Sequence, residues 1–326
     1  MYINEIIRVN YLCNWKCSFC NVSKVNNFGE KDIDDKEVVY KILALTKNYN
    51  KNERRELTLS FSWWEPTLNK NLVHYIALAK KIWIWKIQIQ TNGSLLFKNN
   101  KLYQNLIEAG LNEIFLAQHT HNDKTNKELG CFYKFDDFLD WIEFLKKQSY
   151  LPDIFLNIVV TQKNIWEIEE FISILIKKDF LKLLRNKISL WFCQPMWYAM
   201  QNKETMLLDF NNIQKISIEK IIELSRKQNI LLDFHYTSPP LCVLNYPEYN
   251  LEYNQLKKLE EDNKKNNISE SNLESFKFLW KEKTKYSGCK KCSYNKYCLG
   301  FYKNYEKYLG KNKIEEFISD FTKNAK

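Results

Sequence analysis

The sequence contains no long uncharged apolar run. A helix needs about 18 such residues in succession to span a membrane, and no stretch of that kind occurs. The apolar residues near the start are interrupted by Glu5 and Arg8, whereas a secretory signal keeps its apolar centre uncharged. We therefore expect a cytoplasmic protein with no membrane-spanning segment and no membrane partner.

The sequence also lacks a long basic run. Lys and Arg together number 49 and Asp and Glu 39, which gives a net charge of +10. The lysines are scattered among acidic residues, as on an ordinary solvated surface, whereas nucleic-acid-binding proteins concentrate them on one face. The pattern argues against a nucleic-acid partner.

Glycine is scarce. It occurs 7 times in the chain, roughly 2% of the residues where about 7% is usual. Tryptophan occurs 10 times, more often than glycine, and several tryptophans stand where a turn is expected. Left-handed turns normally take glycine, because a side chain is strained there. With so few glycines, some left-handed turns are expected to carry residues that have side chains.

Nine cysteines are present, and three of them fall within eight residues. Cys13, Cys17 and Cys20 are spaced C-x3-C-x2-C, directly after a predicted strand over residues 3–10. In a reducing cytosol such a group favours metal or redox chemistry over disulfides. Three thiolates suit a cubic iron–sulfur cluster, which normally takes four, so that one iron stays open. A zinc site, which needs a fourth ligand from elsewhere, and a chance grouping are the alternatives.

The chain of 326 residues is 45% apolar, which indicates a globular protein with room for one α/β barrel and a smaller appendage. Strands alternate with amphipathic helices, an order that favours a parallel sheet. In such barrels the chemistry lies in the loops after the carboxyl ends of the strands. We predict an α/β fold in which six strands curl into an open barrel, at residues 3–10, 57–61, 86–90, 113–118, 154–161 and 188–193.

The cysteine spacing, with the aromatic Phe19 directly before the last cysteine, resembles that of the radical S-adenosylmethionine (SAM) enzymes. Two later loops agree: residues 65–68 (EPTL) follow the second strand, and residues 91–93 (TNG) follow the third, although the latter suit any tight turn. The resemblance implies a partial (βα)6 TIM-like barrel and a [4Fe–4S] cluster whose open iron binds SAM. Reduction then cleaves SAM to a 5′-deoxyadenosyl radical, which takes a hydrogen atom from the substrate.

The same resemblance assigns the site residues, but no catalytic residue that acts on the substrate. Glu65 would bind the SAM amino group; alternatively it caps the turn that follows it. His119 and His121 are either proton donors near the substrate or exposed loop histidines. Cys131 and Cys193 lack partners at ligand spacing and are interpreted as packed thiols. The implied cluster ligands are Cys13, Cys17 and Cys20, and the implied SAM-binding residues are Phe19, Trp63, Trp64, Glu65, Thr91, Asn92, Gln118 and Gln194.

One part of the pattern departs from the resemblance. The family carries two glycines where this chain has Trp63 and Trp64, and two indoles there would fill space that SAM needs. Some bacteria read the UGA codon as glycine and others as tryptophan. Our hypothesis is that these tryptophans are glycine in the native organism; the alternative is a pocket remodelled by true tryptophans, which would put SAM binding in doubt. The same reasoning extends to Trp15, Trp85, Trp141, Trp197 and Trp280.

A second cysteine group lies near the C-terminus. Cys289, Cys292 and Cys298 are spaced C-x2-C-x5-C, and Cys242 precedes them. Four thiols can hold either an iron–sulfur cluster or a zinc ion. The group resembles the SPASM and twitch extensions of radical SAM enzymes, which carry auxiliary [4Fe–4S] clusters. Because position 302 is Tyr and no cysteine follows Cys298, the shorter twitch form with one auxiliary cluster is the better match.

We predict a radical SAM core over residues 1–230, an auxiliary-cluster domain over 235–310 and a C-terminal helix over 311–326. The resemblance implies an oxidoreductase or maturase-type enzyme with a low-potential electron donor of the flavodoxin or ferredoxin type. Its substrate is predicted to be a peptide or protein; a small molecule or RNA is the alternative. A non-enzymatic zinc-binding protein is the alternative from a different class.

Overall fold

A single sheet carries the fold, and its seven strands follow one another in chain order. In this computed structural model residues 3–20, 33–184, 187–210, 218–264 and 281–324 are described. The predicted α/β fold with a partial barrel is confirmed, and the sheet has one strand more than predicted. The strands are β1 (Ile3–Ile7), β2 (Leu57–Phe61), β3 (Lys86–Thr91), β4 (Glu113–Ala117), β5 (Asp153–Val160), β6 (Lys187–Phe192) and β7 (Leu231–Phe234).

Helices connect the strands, as the alternating pattern predicts. Within the described ranges no helix combines the length and the apolar composition needed to cross a membrane. A two-stranded antiparallel sheet, β8 (Lys283–Thr284) and β9 (Phe301–Tyr302), lies beside the second cysteine group in the sequence. The helices are α1 (Asp35–Asn48), α2 (Lys51–Glu56), α3 (Leu72–Lys81), α4 (Asn100–Ala109), α5 (Asp123–Leu129), α6 (Phe135–Leu145), α7 (Ile168–Lys177), α8 (Phe180–Leu183), α9 (Trp197–Gln201), α10 (Lys203–Met206), α11 (Ile218–Lys227), α12 (Leu251–Lys264), α13 (Asn304–Leu309) and α14 (Lys311–Asn324).

The two faces of the sheet differ in polarity. Strand side chains alternate between faces, so Phe61 and Ile89 lie on one face with the other buried apolar residues, and Phe61 packs against Tyr75 of α3. The opposite face is polar. There Gln88 of β3 is flanked by Ser60 of β2 and Glu113 of β4 in the parallel register, and it hydrogen-bonds to both at 3.0 Å. Helices therefore cover the apolar face, and the polar face carries hydrogen-bonding side chains.

The chain divides into two compact units. Unit 1 comprises Met1–Ile158, Glu167–Ile188 and Asn229–Leu231, and unit 2 comprises Val159–Trp166, Ser189–Gln228 and Leu232–Lys326. The first cysteine group belongs to unit 1 and the second to unit 2. The domain boundaries given above stay a prediction.

Three tryptophans adopt a backbone conformation that strains side chains. Among the described residues, five non-glycine residues have a positive φ, and three of these are Trp63 (73°), Trp64 (54°) and Trp83 (71°). The other two, Asp179 and Asn229, are residue types that tolerate it. Trp83 follows Ile82, which caps the C-terminus of α3, at the position where helices most often carry glycine. The backbone at these three positions is one that glycine would favour.

Replacing Trp83 tests whether this strain is real. Its side chain is 43% exposed and lies over the Lys51 ammonium, 3.6 Å from the ring centroid. Trp83→Gly and Trp83→Ala both remove the ring, but only glycine relieves the left-handed backbone. We expect the glycine variant to unfold in urea with a free energy about 1 kcal/mol higher than the alanine variant.

Trp85 supplies the matched control, since it is exposed, lies near Arg55 and is not among the positive-φ residues. There the glycine variant should be no more stable than the alanine variant, because glycine loses more backbone entropy on folding. If the glycine variant were also no more stable than the alanine variant at position 83, the backbone at Trp83 would not be strained.

Candidate functional site

Cys13, Cys17 and Cys20 of unit 1 lie together on the loop after β1. The turn closes with a bond from the Cys20 N–H to the Cys17 carbonyl at 3.0 Å, and the Trp15 N–H points at the Cys13 sulfur at 3.4 Å. Burial raises the pKa of Cys13 to about 12, and the neighbouring Cys17 and Cys20 thiols add to the shift. The Cys13 thiol is therefore protonated at neutral pH without a metal, and a metal or cluster must displace that proton.

The end of α5 clamps this loop. The Lys16 N–H donates to the Gly130 carbonyl at 2.8 Å, and the Ser18 N–H donates to the Leu129 carbonyl at 2.9 Å. Gly130 has a φ of +81°, and a Cβ built there would lie 2.1 Å from the Lys16 carbonyl oxygen. Only glycine allows the two backbones to come this close.

The residue after the clamp is a fourth thiol. Cys131 is 1% exposed, and its sulfur lies 3.8 Å from the Cys17 sulfur. The interpretation of Cys131 as a packed thiol thus omitted its contact with a predicted cluster ligand. That contact could not be found from spacing, because the two residues are 114 positions apart.

Aromatic rings pack against the cysteine loop. Trp15, 2% exposed, stacks on Tyr133 with ring centroids 5.5 Å apart, and Phe19, predicted to bind SAM, meets the His119 ring edge-on at 5.0 Å. Burial lowers the pKa of His119 to about 3, so its imidazole is neutral near pH 7. His119 is therefore not an exposed loop histidine; its buried ring packs against the cysteine loop, and a role as proton donor stays a prediction. His121 is half-buried, with Nε2 3.4 Å from a carboxylate oxygen of Glu170.

Glu65 is fully buried between two strand ends. Its carboxylate accepts from the Thr67 N–H at 3.0 Å, from the Thr91 hydroxyl at 2.7 Å and from the Asn92 N–H at 2.7 Å. Burial raises the pKa of Glu65, and these hydrogen bonds oppose the rise. The bond from Thr67 caps the short 3-10 turn Pro66–Leu68, so the capping role considered for Glu65 is present. The bonds from residues 91 and 92 join it to the next loop as well.

Asn92 joins that network to the cysteine loop. Its side-chain amide donates to the Asn14 side chain at 2.8 Å and lies 4.0 Å from the Cys13 sulfur. Gln118, at the end of β4, donates to the Asn92 carbonyl at 2.7 Å, and its Oε1 is buried without a hydrogen-bond partner. The structure therefore brings together, in unit 1, a set of predicted site residues: Cys13, Cys17, Cys20, Glu65, Thr91, Asn92 and Gln118.

Several members of this network were not predicted. Asn10 donates to the Glu65 carbonyl at 2.9 Å, and Asn14 donates to the Ser94 hydroxyl at 2.7 Å. A polar residue at a strand end is the only signal that could have indicated them, and it is common to any loop. Gly130 had no sequence signal that linked it to the cysteines.

Trp63 and Trp64 directly precede Glu65 in the loop after β2. The Trp63 ring lies over the Arg8 guanidinium at 3.7 Å, and the Trp64 ring meets Tyr11 edge-on at 4.9 Å. Their left-handed backbone favours the hypothesis that both are natively glycine. The backbone gives no such support at Trp15, Trp85, Trp141 or Trp197, which are not among the positive-φ residues, and Trp280 lies outside the described residues.

Gln194, the remaining predicted SAM-binding residue, belongs to unit 2. Its side-chain amide donates to the Tyr302 hydroxyl at 2.6 Å. Tyr302 is 3% exposed. Burial raises the pKa of Tyr302 to about 12, so its hydroxyl stays protonated near pH 7.

The four thiols of the second group also come together. A small cavity in unit 2 is lined by all four and by apolar residues such as Leu241 and Phe301. Burial, and then the charges of the other three thiols, raise the pKa of Cys242. Within the described ranges no group of three or more His, Cys, Asp or Glu side chains is arranged around a single metal ion. An iron–sulfur cube differs from a zinc site in this respect, because each of its thiolates binds a separate iron. The four thiols in this lining suit such a cluster: Cys242, Cys289, Cys292 and Cys298.

A buried ion pair supports this cavity. Lys283 and Glu252 form a salt bridge in which both side chains are almost fully buried. The second carboxylate oxygen of Glu252 accepts from the Leu299 N–H at 2.9 Å, directly after Cys298 in the chain. The Lys283 ammonium also lies 4.9 Å from the centre of the Tyr302 ring. The pair therefore holds the Cys298 segment in place, and nothing in the sequence singled it out.

Comparison with known protein families agrees with this geometry. The model of the radical SAM superfamily matches residues 7–175, a little over half of the chain. The chain belongs to the radical SAM superfamily. Members of that superfamily bind a [4Fe–4S] cluster and SAM. The thiols of Cys13, Cys17 and Cys20 are suitable ligands for such a cluster.

This radical SAM protein is also similar to individual proteins of known sequence or structure. It is 27% identical over 219 residues to the probable GTP 3′,8-cyclase of Saccharolobus islandicus (strain L.S.2.15), a match that covers 66% of each chain. It is 30% identical over 167 residues to the probable GTP 3′,8-cyclase of Sulfolobus acidocaldarius, which covers 51% of this chain and 50% of that one. The chain thus matches about two thirds or less of these relatives' length. The structure of native anSMEcpe with bound AdoMet covers 99% of this chain and 100% of its own, with a TM-score of 0.59 and 13% identity, and shares the fold.

Gly130→Ala tests the clamp on the cysteine loop. The added Cβ would collide with the Lys16 backbone, so we expect the loop to move and iron incorporation to fall by half or more. Gly110→Ala is the matched control, because Gly110 also ends a helix with a left-handed backbone (φ +119°), and the added Cβ would meet the flexible side chain of Lys80 and not a backbone. Both variants bear the left-handed strain of about 1–2 kcal/mol, but only the first should lose iron, as measured by metal analysis after anaerobic reconstitution. Equal iron content in the two variants would show that the clamp is dispensable.

Proposed function

We propose that this radical SAM protein cleaves SAM reductively at a [4Fe–4S] cluster ligated by Cys13, Cys17 and Cys20. The observation that carries the proposal is the hydrogen-bonded network by which Asn92 links the cysteine loop to Glu65. A polar ligand bound beside the thiols would meet side chains from three strand ends. When bound, the cluster and SAM supply a 5′-deoxyadenosyl radical to the substrate.

The chain's own residues orient SAM in this proposal. Gln118 Oε1, buried and unpartnered, is an acceptor for a donor group of SAM. Glu65 supplies negative charge for the SAM amino group, although its oxygens already accept bonds from the protein. The Phe19 ring, held edge-on by His119, offers a flat apolar surface to the adenine.

We further propose that Cys242, Cys289, Cys292 and Cys298 ligate one auxiliary [4Fe–4S] cluster. The shared cavity of unit 2 and its apolar lining support this, since a cluster needs both thiolates and exclusion of water. A zinc ion in the same cavity is the alternative. A flavodoxin- or ferredoxin-type protein as electron donor stays a prediction.

For the substrate, we infer a small polar molecule. The relatives named above are probable GTP 3′,8-cyclases, and the polar face of the sheet offers hydrogen-bonding groups from neighbouring strands. Ser62, beyond the end of β2, donates to Gln90 of β3 at 2.5 Å, and the row continues through Gln88 to Glu113. A peptide or protein substrate, predicted from the resemblance, is the second candidate.

The decisive experiment is metal analysis of protein purified without oxygen, followed by addition of dithionite and SAM. Two cubic clusters require about eight irons per chain. Replacing Cys13, Cys17 and Cys20 by alanine should leave about four irons and abolish 5′-deoxyadenosine release, whereas replacing Cys289 and Cys292 should remove only the other four. Cys193→Ala, which alters a buried thiol outside both groups, serves as the control. Zinc without iron, and SAM left intact, would overturn the proposal in favour of a zinc-binding protein.

Restoring glycine at positions 63 and 64 tests the origin of the two tryptophans. Trp63→Gly/Trp64→Gly removes two strained residues and two rings beside Glu65, so SAM affinity should rise about tenfold, or about 1.4 kcal/mol. Calorimetry on the cluster-loaded protein measures it, with Trp85→Gly as control. Unchanged or weaker binding would favour true tryptophans, as would their detection by peptide mass spectrometry of natively produced protein.

Substrate class can be read from the rate of 5′-deoxyadenosine formation. A true substrate speeds SAM cleavage, so GTP should raise the initial rate well above the substrate-free rate, and ATP serves as the control nucleotide. Stimulation by neither nucleotide, with stimulation by a peptide pool, would overturn the small-molecule inference and leave the cluster chemistry intact.

A further inference from the structure

We propose that Cys131 is a positioning residue for the catalytic cluster: its S–H donates a hydrogen bond to the sulfur of Cys17 and raises the reduction potential of the cluster that Cys17 ligates. The inference rests on the proposed function, since it takes Cys17 as a ligand. It assigns a role to a fourth thiol that neither the cysteine motif nor the relatives indicate.

The contact between the two sulfurs is built into the backbone. They lie 3.8 Å apart, within the range of a hydrogen bond that involves sulfur. On one side the cysteine loop is fixed to residues 129 and 130 by the backbone bonds from Lys16 and Ser18, at 2.8 and 2.9 Å. On the other, the Cys131 N–H donates to the Asn126 carbonyl at 2.9 Å, at the end of α5. The backbones that carry the two sulfurs are therefore held next to each other.

Burial leaves the thiol of Cys131 few other options. Cys131 is 1% exposed, and the next buried residue, Tyr133, stacks on Trp15 of the cysteine loop. Water does not reach the thiol, so the neighbouring sulfur is its available polar partner. The aromatic stack also keeps the loop from swinging outward.

The chemistry sets the direction of the bond. A cysteine that ligates iron is a thiolate and carries no proton, so Cys17 can only accept. Cys131 is not in the motif of three ligands and keeps its proton, so its S–H is the donor. A thiol is a weak donor, but here the acceptor is anionic and the site is shielded from water, which strengthens the bond.

A donor at this position favours the reduced cluster. Reduction adds one negative charge, which is shared by the ligand sulfurs, and a hydrogen bond to such a sulfur stabilises that charge. The potential therefore rises, and the cluster accepts an electron from its donor more readily. Removing the donor should lower the potential without removing a ligand.

Redox titration of the cluster-loaded protein, followed by electron paramagnetic resonance, measures this potential. The signal that changes on addition of SAM identifies the catalytic cluster. In Cys131→Ala and Cys131→Val, which lack a donor, the reduced-to-oxidised ratio at fixed potential should fall about threefold to tenfold; tenfold corresponds to about 59 mV for one electron. Cys131→Ser keeps a donor and should retain the wild-type potential. Cys193→Ala, which alters a buried thiol of unit 2, should not shift it.

The outcomes separate the inference from the function on which it rests. A wild-type protein without a SAM-responsive cluster overturns the proposed function and this inference together. A responsive cluster whose potential is the same in the alanine, valine and serine variants overturns the inference alone. Loss of iron in all three variants would also overturn it, because Cys131 would then be needed to build the loop and not to set the potential.

Discussion

The rest of the site depends on the close approach of two backbones at Gly130. A chain segment carrying three cysteines has no reason of its own to stay in one conformation, because its thiols repel one another once they lose their protons. The bonds from Lys16 and Ser18 to the end of α5 supply that restraint, and they exist only because residue 130 has no Cβ. In a chain with 7 glycines, the presence of one here indicates how little freedom this contact leaves.

From that clamp, order extends in two directions. Through Trp15 and Tyr133 the loop rests on an apolar stack, and through Asn14 and Asn92 it is joined to the ends of β2 and β3. Glu65 completes the arrangement. Burying a carboxylate is costly unless hydrogen bonds satisfy it, and the Glu65 carboxylate receives them from two successive loops. The same bonds thus position the two loops and stabilise the buried carboxylate.

The tryptophans pose a conflict between side chain and backbone. At Trp63, Trp64 and Trp83 the backbone adopts a conformation natural to glycine, while the indoles find partners in Arg8, Tyr11 and Lys51. Trp141 is different, since it lies within α6 and packs among aromatic rings in the core. The low glycine content does not distinguish one tryptophan from another. The backbone angle φ does, because it separates positions that favour glycine from positions where an indole is well packed.

Local sequence alone determined the order of strands and helices and the grouping of Cys13, Cys17 and Cys20, because hydrophobic periodicity and loop spacing act over a few residues. It also indicated that Glu65 and Asn92 follow strand ends, and parallel strands bring such ends to one edge of a sheet. The tertiary structure alone decided the contact of Cys131 with Cys17, the burial of His119, the ion pair of Lys283 with Glu252 and the place of the seventh strand in the sheet. Each of these depends on contacts between segments that lie far apart in the chain. Packing and the distance to which two backbones can approach decide which segments meet, and the spacing of residues along the sequence reveals neither.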